Sequence, residues 1–452
     1  MLGSKSVKRI IAVLILVMMF FIVESVLRYA LEPVSYADYF NHDVEVLAED
    51  PKGVDLIFIG ASRVYRSYVP HIFEEELGIN NVLNAGSSSQ PLSGTYYQLK
   101  DLIKIFSPEK VVLGVTVDQL VGDEITQGKN IVYDRINNLI IKAEYLLNGF
   151  DGTEKLYGLK SYRFRTNMSK TIIANNLRQK ELIESNDYQD NTDQSEYYDD
   201  NGFVFSKSTY KTGNIPIEGY VKFDESAILP EAVEWMDKIV NICKENNIEL
   251  YMVMSPTTLM RVYNTENYQS AHEWYCNYAK ENGIIYHDLN LLKTYTELFT
   301  DENMHDYNHL NGNGAYEFSN VYADILGKDF RGVDTSEYFF NSVEELKQTV
   351  KRVAAVSADI QLEDDIINID VQSLQNDNMN VEYELKLSVD GGEFKVVSAY
   401  SNAINYNIIK PDGVTNISIM VEARNADDID EPVAFQIYDI DLSTGTVNNR
   451  KV

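Results

Sequence analysis

The chain has 452 residues, more than one ordinary domain uses, and 44% of them are apolar, enough for a sizeable core. Its formal net charge of -30 would repel a polyanionic duplex or an anionic membrane surface, which argues against nucleic acid as a partner and favours solubility. The two cysteines, Cys243 and Cys276, lie in helix-like runs with apolar neighbours and read as buried thiols, with one disulfide left open in an oxidising compartment. No CxxC or HExxH pattern asks for zinc, and no cofactor is expected.

The first predicted element is an anchor. Lys5, Lys8 and Arg9 precede an apolar run from Ile10 to Val23, extended by Val26 and Leu27. That length is close to the ~20 residues that span a bilayer. Positive charge ahead of the run predicts the N-terminus inside and the bulk of the chain outside the cytoplasm. A cleaved signal peptide competes, but Arg28-Tyr29-Ala30 lacks the small residue a cleavage site needs two positions before Ala30. Glu24 sits late in the run, where it reaches the outer interface.

From Val54 to about Gly327 strand-like and helix-like runs alternate. Strands are expected at Val54–Ile59, Asn81–Asn84, Lys110–Val117, Glu249–Met254 and Ile284–His287, with helices at His71–Leu77, Gly94–Phe106, Glu231–Asn246 and Ser270–Asn282. Continuous apolar strands separated by helices argue for a doubly wound α/β fold with a parallel sheet covered on both faces. Asp118–Ser226 breaks the alternation and reads as an insertion over the carboxyl edge of the sheet, where ligand sites of such folds lie. Within it, Asp187–Asp200 reads as a solvated acidic loop, and Tyr162-Arg163-Phe164-Arg165 as a basic-aromatic cluster. That cluster is open to headgroup contact, anionic-glycan binding or ordinary packing. Ser342–Val356 reads as a connecting helix. From Asp359 to Leu442 period-two alternation separated by Asp390-Gly391-Gly392 and Pro411-Asp412-Gly413 indicates a β-sandwich. The resulting division is an anchor over 1–31, an α/β domain over 32–330 with insertion 118–226, a linker over 331–357 and a sandwich over 358–452.

Two motifs about 240 residues apart carry chemistry. Gly60-Ala61-Ser62 closes the first strand, and Asp306-Tyr307-Asn308-His309-Leu310 places an Asp three residues before a His. Serine is a weak nucleophile until a base takes its proton. His309 is the candidate base, Asp306 the group that orients it, and Gly86 a residue whose backbone N–H can approach a developing oxyanion. Taken singly these are weak: a Ser after a strand is usually a turn or a cap, and an Asp-x-x-His is usually a surface loop or helix start. Arg63 is read as an anion contact or a helix-start salt bridge. His305 is read as a surface residue, His287 as a structural hydrogen-bonder, and Trp235 and Trp274 as core. Ser255 or Thr257 is read as pocket-lining.

On these residues the sequence resembles the SGNH/GDSL hydrolase family over roughly 54–327. The resemblance implies a flavodoxin-like α/β fold, with Ser62 as nucleophile, Asp306 and His309 as triad partners, and Gly86 of Asn84-Ala85-Gly86 as an oxyanion donor. Ala61 stands where the family has Asp. Asp118 stands where the family commonly has an Asn amide donor, so Gln119 or Thr116 is the candidate substitute. The layout of one anchor, an external domain and a long insertion looks like an envelope acyl-transfer subgroup. That subgroup includes teichoic-acid D-alanyl transfer proteins and alginate-type O-acetyltransferases. It implies a cell-envelope polysaccharide acceptor and a multispanning membrane acyltransferase as partner. The competing reading is a non-catalytic glycan-binding or assembly protein that keeps the fold. The C-terminal strands look like fibronectin-like accessory modules, either glycan-binding or a spacer.

Overall fold

The computed structural model describes residues 4–184, 194–199, 201–210, 221–376, 378–430 and 433–450. Helix α1 (Ser4–Leu31) contains the apolar span Val7–Leu31, long and apolar enough to cross a membrane, and its apolar side chains from Val7 to Leu27 are exposed. After a short break, α2 (Tyr36–Glu49) starts at a capping box, in which Ser35 and Asp38 satisfy each other's backbone N–H groups.

The central sheet is parallel. Its strands are β1 (Val54–Ile59), β2 (Asn81–Asn84), β3 (Lys110–Val115), β4 (Glu249–Met254) and β5 (Ile285–Asp288), in the spatial order 2-1-3-4-5. This is the doubly wound order whose switch point lies between β1 and β3. Side chains of β1 alternate between two apolar layers because successive Cβ atoms leave opposite faces. Leu56 and Phe58 enter one layer with Tyr68, Phe73, Phe318 and Tyr322. Ile57 and Ile59 enter the other with Leu99, Met236, Ile239 and Tyr275. Helices α3 (Ser62–Ser67), α4 (Pro70–Leu77) and the helix Gly312–Phe330 cover the first face. Helices α2, α5 (Leu92–Phe106), Pro230–Glu245 and Tyr268–Asn282 contribute to the second. The expected strands and helices recur within one or two residues, except that β3 ends at Val115 and Thr116 instead caps α6 (Val117–Val121).

The insertion is largely helical where it is described: α7 (Thr126–Arg135), α8 (Leu139–Asn148), a 3-10 helix Gly152–Gly158, α9 (Lys160–Arg163) and α10 (Lys170–Glu184). The acidic stretch expected as a solvated loop lies partly outside the described residues. Its described end corrects the expectation. Glu196–Tyr198 pairs with Val204–Ser206 as an antiparallel ribbon, and Tyr198 is buried. Alternating aromatics outweighed the local charge.

The expected connecting helix is shorter than read. Only Val343–Thr349 is helical, and a strand begins at Ala355. Val343, Leu346, Val350 and Ala354 pack into the α/β core, so this segment is docked and not a free linker. The C-terminal strands form a three-stranded and a five-stranded antiparallel sheet that share a core including Val356, Ile367, Leu385, Ile419 and Val421. Cys243 is buried and Cys276 only partly so. Both are free thiols, and Cys276 Sγ lies 3.4 Å from His272 Nε2.

Candidate active site

The chain leaves β1 through Gly60, at φ +153°, where a Cβ would lie 2.6 Å from the Gly114 carbonyl oxygen of β3. A side chain cannot fit between two adjacent strand ends this close, so only glycine allows the turn. Ala61 is extended and caps α3, which makes Ser62 the first residue of a helix at the carboxyl end of the sheet.

The partners of Ser62 arrive on the loop before the helix Gly312–Phe330. Met304 and Leu310 pair as an isolated antiparallel bridge, and His305 donates its N–H to the His309 carbonyl at 2.8 Å. Thr257 and Thr258, just past β4, donate hydroxyl hydrogens to the Tyr307 carbonyl at 3.0 and 2.8 Å. Asp306 Oδ1 accepts the N–H groups of Asn308 (2.7 Å) and His309 (2.9 Å), an Asx-type turn that fixes the loop from within. The loop is therefore pinned both to itself and to the sheet edge.

In this arrangement Ser62 Oγ lies 2.7 Å from His309 Nε2, and His309 Nδ1 lies 2.9 Å from both oxygens of Asp306. Burial raises the cost of charging Asp306. The hydrogen bond and charge of His309, with the Asn308 N–H, outweigh that and hold the carboxyl at about 2. Burial pushes His309 below the ordinary imidazole range. Asp306 opposes the shift, and the cations Arg66 and Arg63 add to it. The imidazole is therefore neutral at neutral pH, the form that can accept a proton from Ser62.

These groups lie in a cleft of about 970 Å³ whose lining also includes Arg63, Asp118, Gln119, Trp235 and Arg261. Arg63 is buried and donates to Asn308 Oδ1 at 3.1 Å; burial and the neighbouring Arg261 lower its pKa. Arg66, also buried, pairs with Glu196 of the insertion ribbon. Asp118 accepts two hydrogen bonds from Nη2 of Arg261, at 3.0 and 2.8 Å. The position expected to hold an amide donor thus holds an Asp–Arg pair, and sequence reasoning missed Arg261 because a lone Arg on a short helix carries no motif.

Several expectations need correction. Gly86 is absent from the cleft lining, and its N–H is donated to Asn84 Oδ1 at 3.1 Å. Its need for glycine is steric, since a Cβ would lie 2.6 Å from the Tyr65 nitrogen. Gln119 lines the cleft, but its carbonyl accepts the Thr116 N–H and its amide donates to the Gln90 carbonyl, so both ends hold backbone in place. Trp235, read as core, lines the cleft beside Tyr96 and Tyr97. Trp274 stacks on Tyr278 at the edge of the core.

The remaining residues support the site from outside. Ser255 is buried against the Tyr68 hydroxyl and, like Thr257, does not line the cleft. His305, expected at the surface, is half-buried with Nδ1 2.7 Å from Ser206 Oγ. His287 is buried between Tyr322 and Thr335, and burial pushes it down to about 4. Arg135 of the insertion was not anticipated. It is buried over the Phe40 ring and donates to the Gly86 carbonyl at 2.7 Å, tying α7 to the end of β2.

No protein-family model matches the chain, and no curated protein matches it. Solved structures do. A protein from Desulfitobacterium hafniense named for the lipolytic G-D-S-L family is 11% identical, with a TM-score of 0.30, covering 60% of this chain and 98% of its own. One from Bacteroides fragilis named as an acylhydrolase is 10% identical at a TM-score of 0.30, covering 64% and 94%. A GDSL-like lipase from Bacteroides thetaiotaomicron is 10% identical at 0.31, covering 66% and 100%.

Proposed function

We propose that this chain is a membrane-anchored, extracytoplasmic serine esterase or acyltransferase of SGNH type that acts on acyl esters of a cell-envelope polysaccharide. The observation that carries the reading is the unbroken relay from Ser62 Oγ through His309 to Asp306 in an open cleft. In the first half-reaction Ser62 Oγ bonds to the ester carbonyl carbon and its proton passes to His309 Nε2. Collapse breaks the carbon–oxygen bond to the leaving alcohol, which takes the proton from the imidazolium. An acyl ester on Ser62 remains. In the second half a glycan hydroxyl, or water, loses its proton to His309 and attacks that ester, which regenerates Ser62. Asp306 holds the imidazole and stabilises its charged form. With the Gly86 N–H occupied, the Ser62 N–H and the positive charge of Arg63 and Arg261 are the groups assigned to the oxyanion. Acetyl is the proposed acyl group, delivered by a multispanning membrane acyltransferase.

The test is hydrolysis of an aryl acetate, and transfer of its acetyl group to a polysaccharide, by the purified full chain. Turnover in wild type that Ser62→Ala abolishes supports the proposal; equal turnover in both contradicts it. A second reading, a glycan-binding or assembly protein, is favoured by one observation: neither Gly86 nor Gln119 offers the cleft the donor the family resemblance implies. It predicts glycan binding that survives Ser62→Ala and His309→Ala, with no acyl-enzyme formed.

A further inference from the structure

The outer end of α1 is built into the globular domain. Glu24, within the apolar span, accepts the Ser161 N–H at 3.1 Å and its hydroxyl. Lys160 pairs with Glu32. The last carbonyls of α1, which a helix leaves without internal partners, are met by Asn167 and Asn176 on Leu31 and by Lys180 on Tyr29. Glu24 precedes Leu31 by seven residues, about 10 Å along a helix. Helix α9 therefore reaches back alongside the final turns of the span.

The same segment exposes large apolar side chains. Leu139 and Ile140 are 80% and 70% exposed, Leu147 and Met168 each 64%, and Leu156 and Ile172 are exposed as well. These elements connect to the anchor by contact: α8 touches the 3-10 helix Gly152–Gly158, which touches α9, and α9 and α10 both touch α1. Charge changes sign here too. Residues 139–180 carry eight Lys and Arg against three Asp and Glu, in a chain of net charge -30. Lys155, Arg165, Lys170 and Arg178 are exposed.

We propose that the segment 139–178 is a membrane-contact surface, whose exposed apolar side chains enter the headgroup–acyl boundary of the outer leaflet while its exposed cations meet anionic lipid phosphates. The proposal rests on α1 spanning the bilayer, and continuity with that span together with the reversed charge selects lipid as the occupant. Asn148, Gly149, Asp151 and Glu154 of this segment also line the cleft, so the cleft would open beside the membrane face.

The test places single tryptophans in the full chain, reconstituted in phosphatidylglycerol-rich nanodiscs whose lipids are brominated either near the headgroup or deep in the acyl chain. Emission is read as the difference from wild type, which has Trp235 and Trp274. Phe20→Trp tests the span, and Leu147→Trp and Met168→Trp test the surface. Val397→Trp, on the C-terminal sheet, is the control. The expected result is quenching of Phe20→Trp by the deep bromines and of Leu147→Trp and Met168→Trp by the shallow ones, with Val397→Trp unaffected. Quenching of Phe20→Trp with either surface position as bright as the control overturns the proposal and leaves the span standing. Loss of quenching at Phe20→Trp overturns the span, and the proposal with it.

Discussion

Two opposed effects set the charge state of His309. Burial and the positive charges of Arg66 and Arg63 disfavour the imidazolium, while Asp306 favours it, and the net shift is downward. The acid limb of a pH–kcat/KM profile is therefore expected below the ordinary imidazole value of about 6.5. Replacing Arg66 with Gln removes one repelling charge, raises the folded-state pKa and moves that limb to higher pH; an unmoved limb would show that Arg66 does not contribute to the shift. Asp306→Asn is expected to lower kcat by about 10⁴-fold at unchanged fold, since the imidazole loses the partner that fixes its tautomer. The pair Asp118–Arg261 gives a further prediction. Asp118→Ala leaves a buried guanidinium without its carboxylate, and a loss of about 1–3 kcal/mol is expected by chemical denaturation. Ser62, His309 and Asp306 were legible because each sits in a short motif, the one holding Ser62 at the end of a recognisable strand. Arg63 was legible only as a neighbour of Ser62. Arg66, Arg135 and Arg261 were not, because their partners Glu196, Gly86 and Asp118 lie far away in sequence and surface charges look the same on paper.

At the scale of elements, α3 and its entry turn position Ser62. Gly86→Ala drives a Cβ against the Tyr65 nitrogen of α3, which displaces Ser62 from His309. Activity is expected to fall about 10²-fold or more while far-ultraviolet circular dichroism stays native, since small misplacements of reacting groups are costly. Phe58→Ala tests the layer beneath. Its ring is fully buried and stacks on Tyr68 at 4.5 Å, so a loss of about 3–5 kcal/mol is expected in thermal or denaturant unfolding. The five parallel strands were readable because buried strands are continuous apolar runs, and the C-terminal strands because half-buried ones alternate. Helix α2 went unread although Ser35 and Asp38 spell a capping box. The insertion helices went unread because their apolar residues are divided between core and exposed surface, which blurs the helical period. Trp235 was misplaced for a related reason: periodicity assigns it to a buried helix face without showing that this face ends at a cleft.

At the scale of the molecule, α1, the insertion and the relay form one continuous structure. Lys160 and Ser161 grip α1, Arg135 grips the end of β2, and Glu196 grips Arg66 beside the site. The insertion thus joins α1 and the cleft, a link that composition could not reveal because the chain's overall charge is strongly acidic and that of residues 139–180 is not. The measurement that tests the central claim most directly is intact and peptide mass spectrometry of the full-length protein after reaction with a fluorophosphonate. Wild type, His309→Ala and Ser62→Ala would be compared. The account predicts a single adduct on the Ser62 peptide in wild type, its rate sharply reduced in His309→Ala, and none in Ser62→Ala. Labelling that persists in Ser62→Ala, or is absent from wild type, would contradict it.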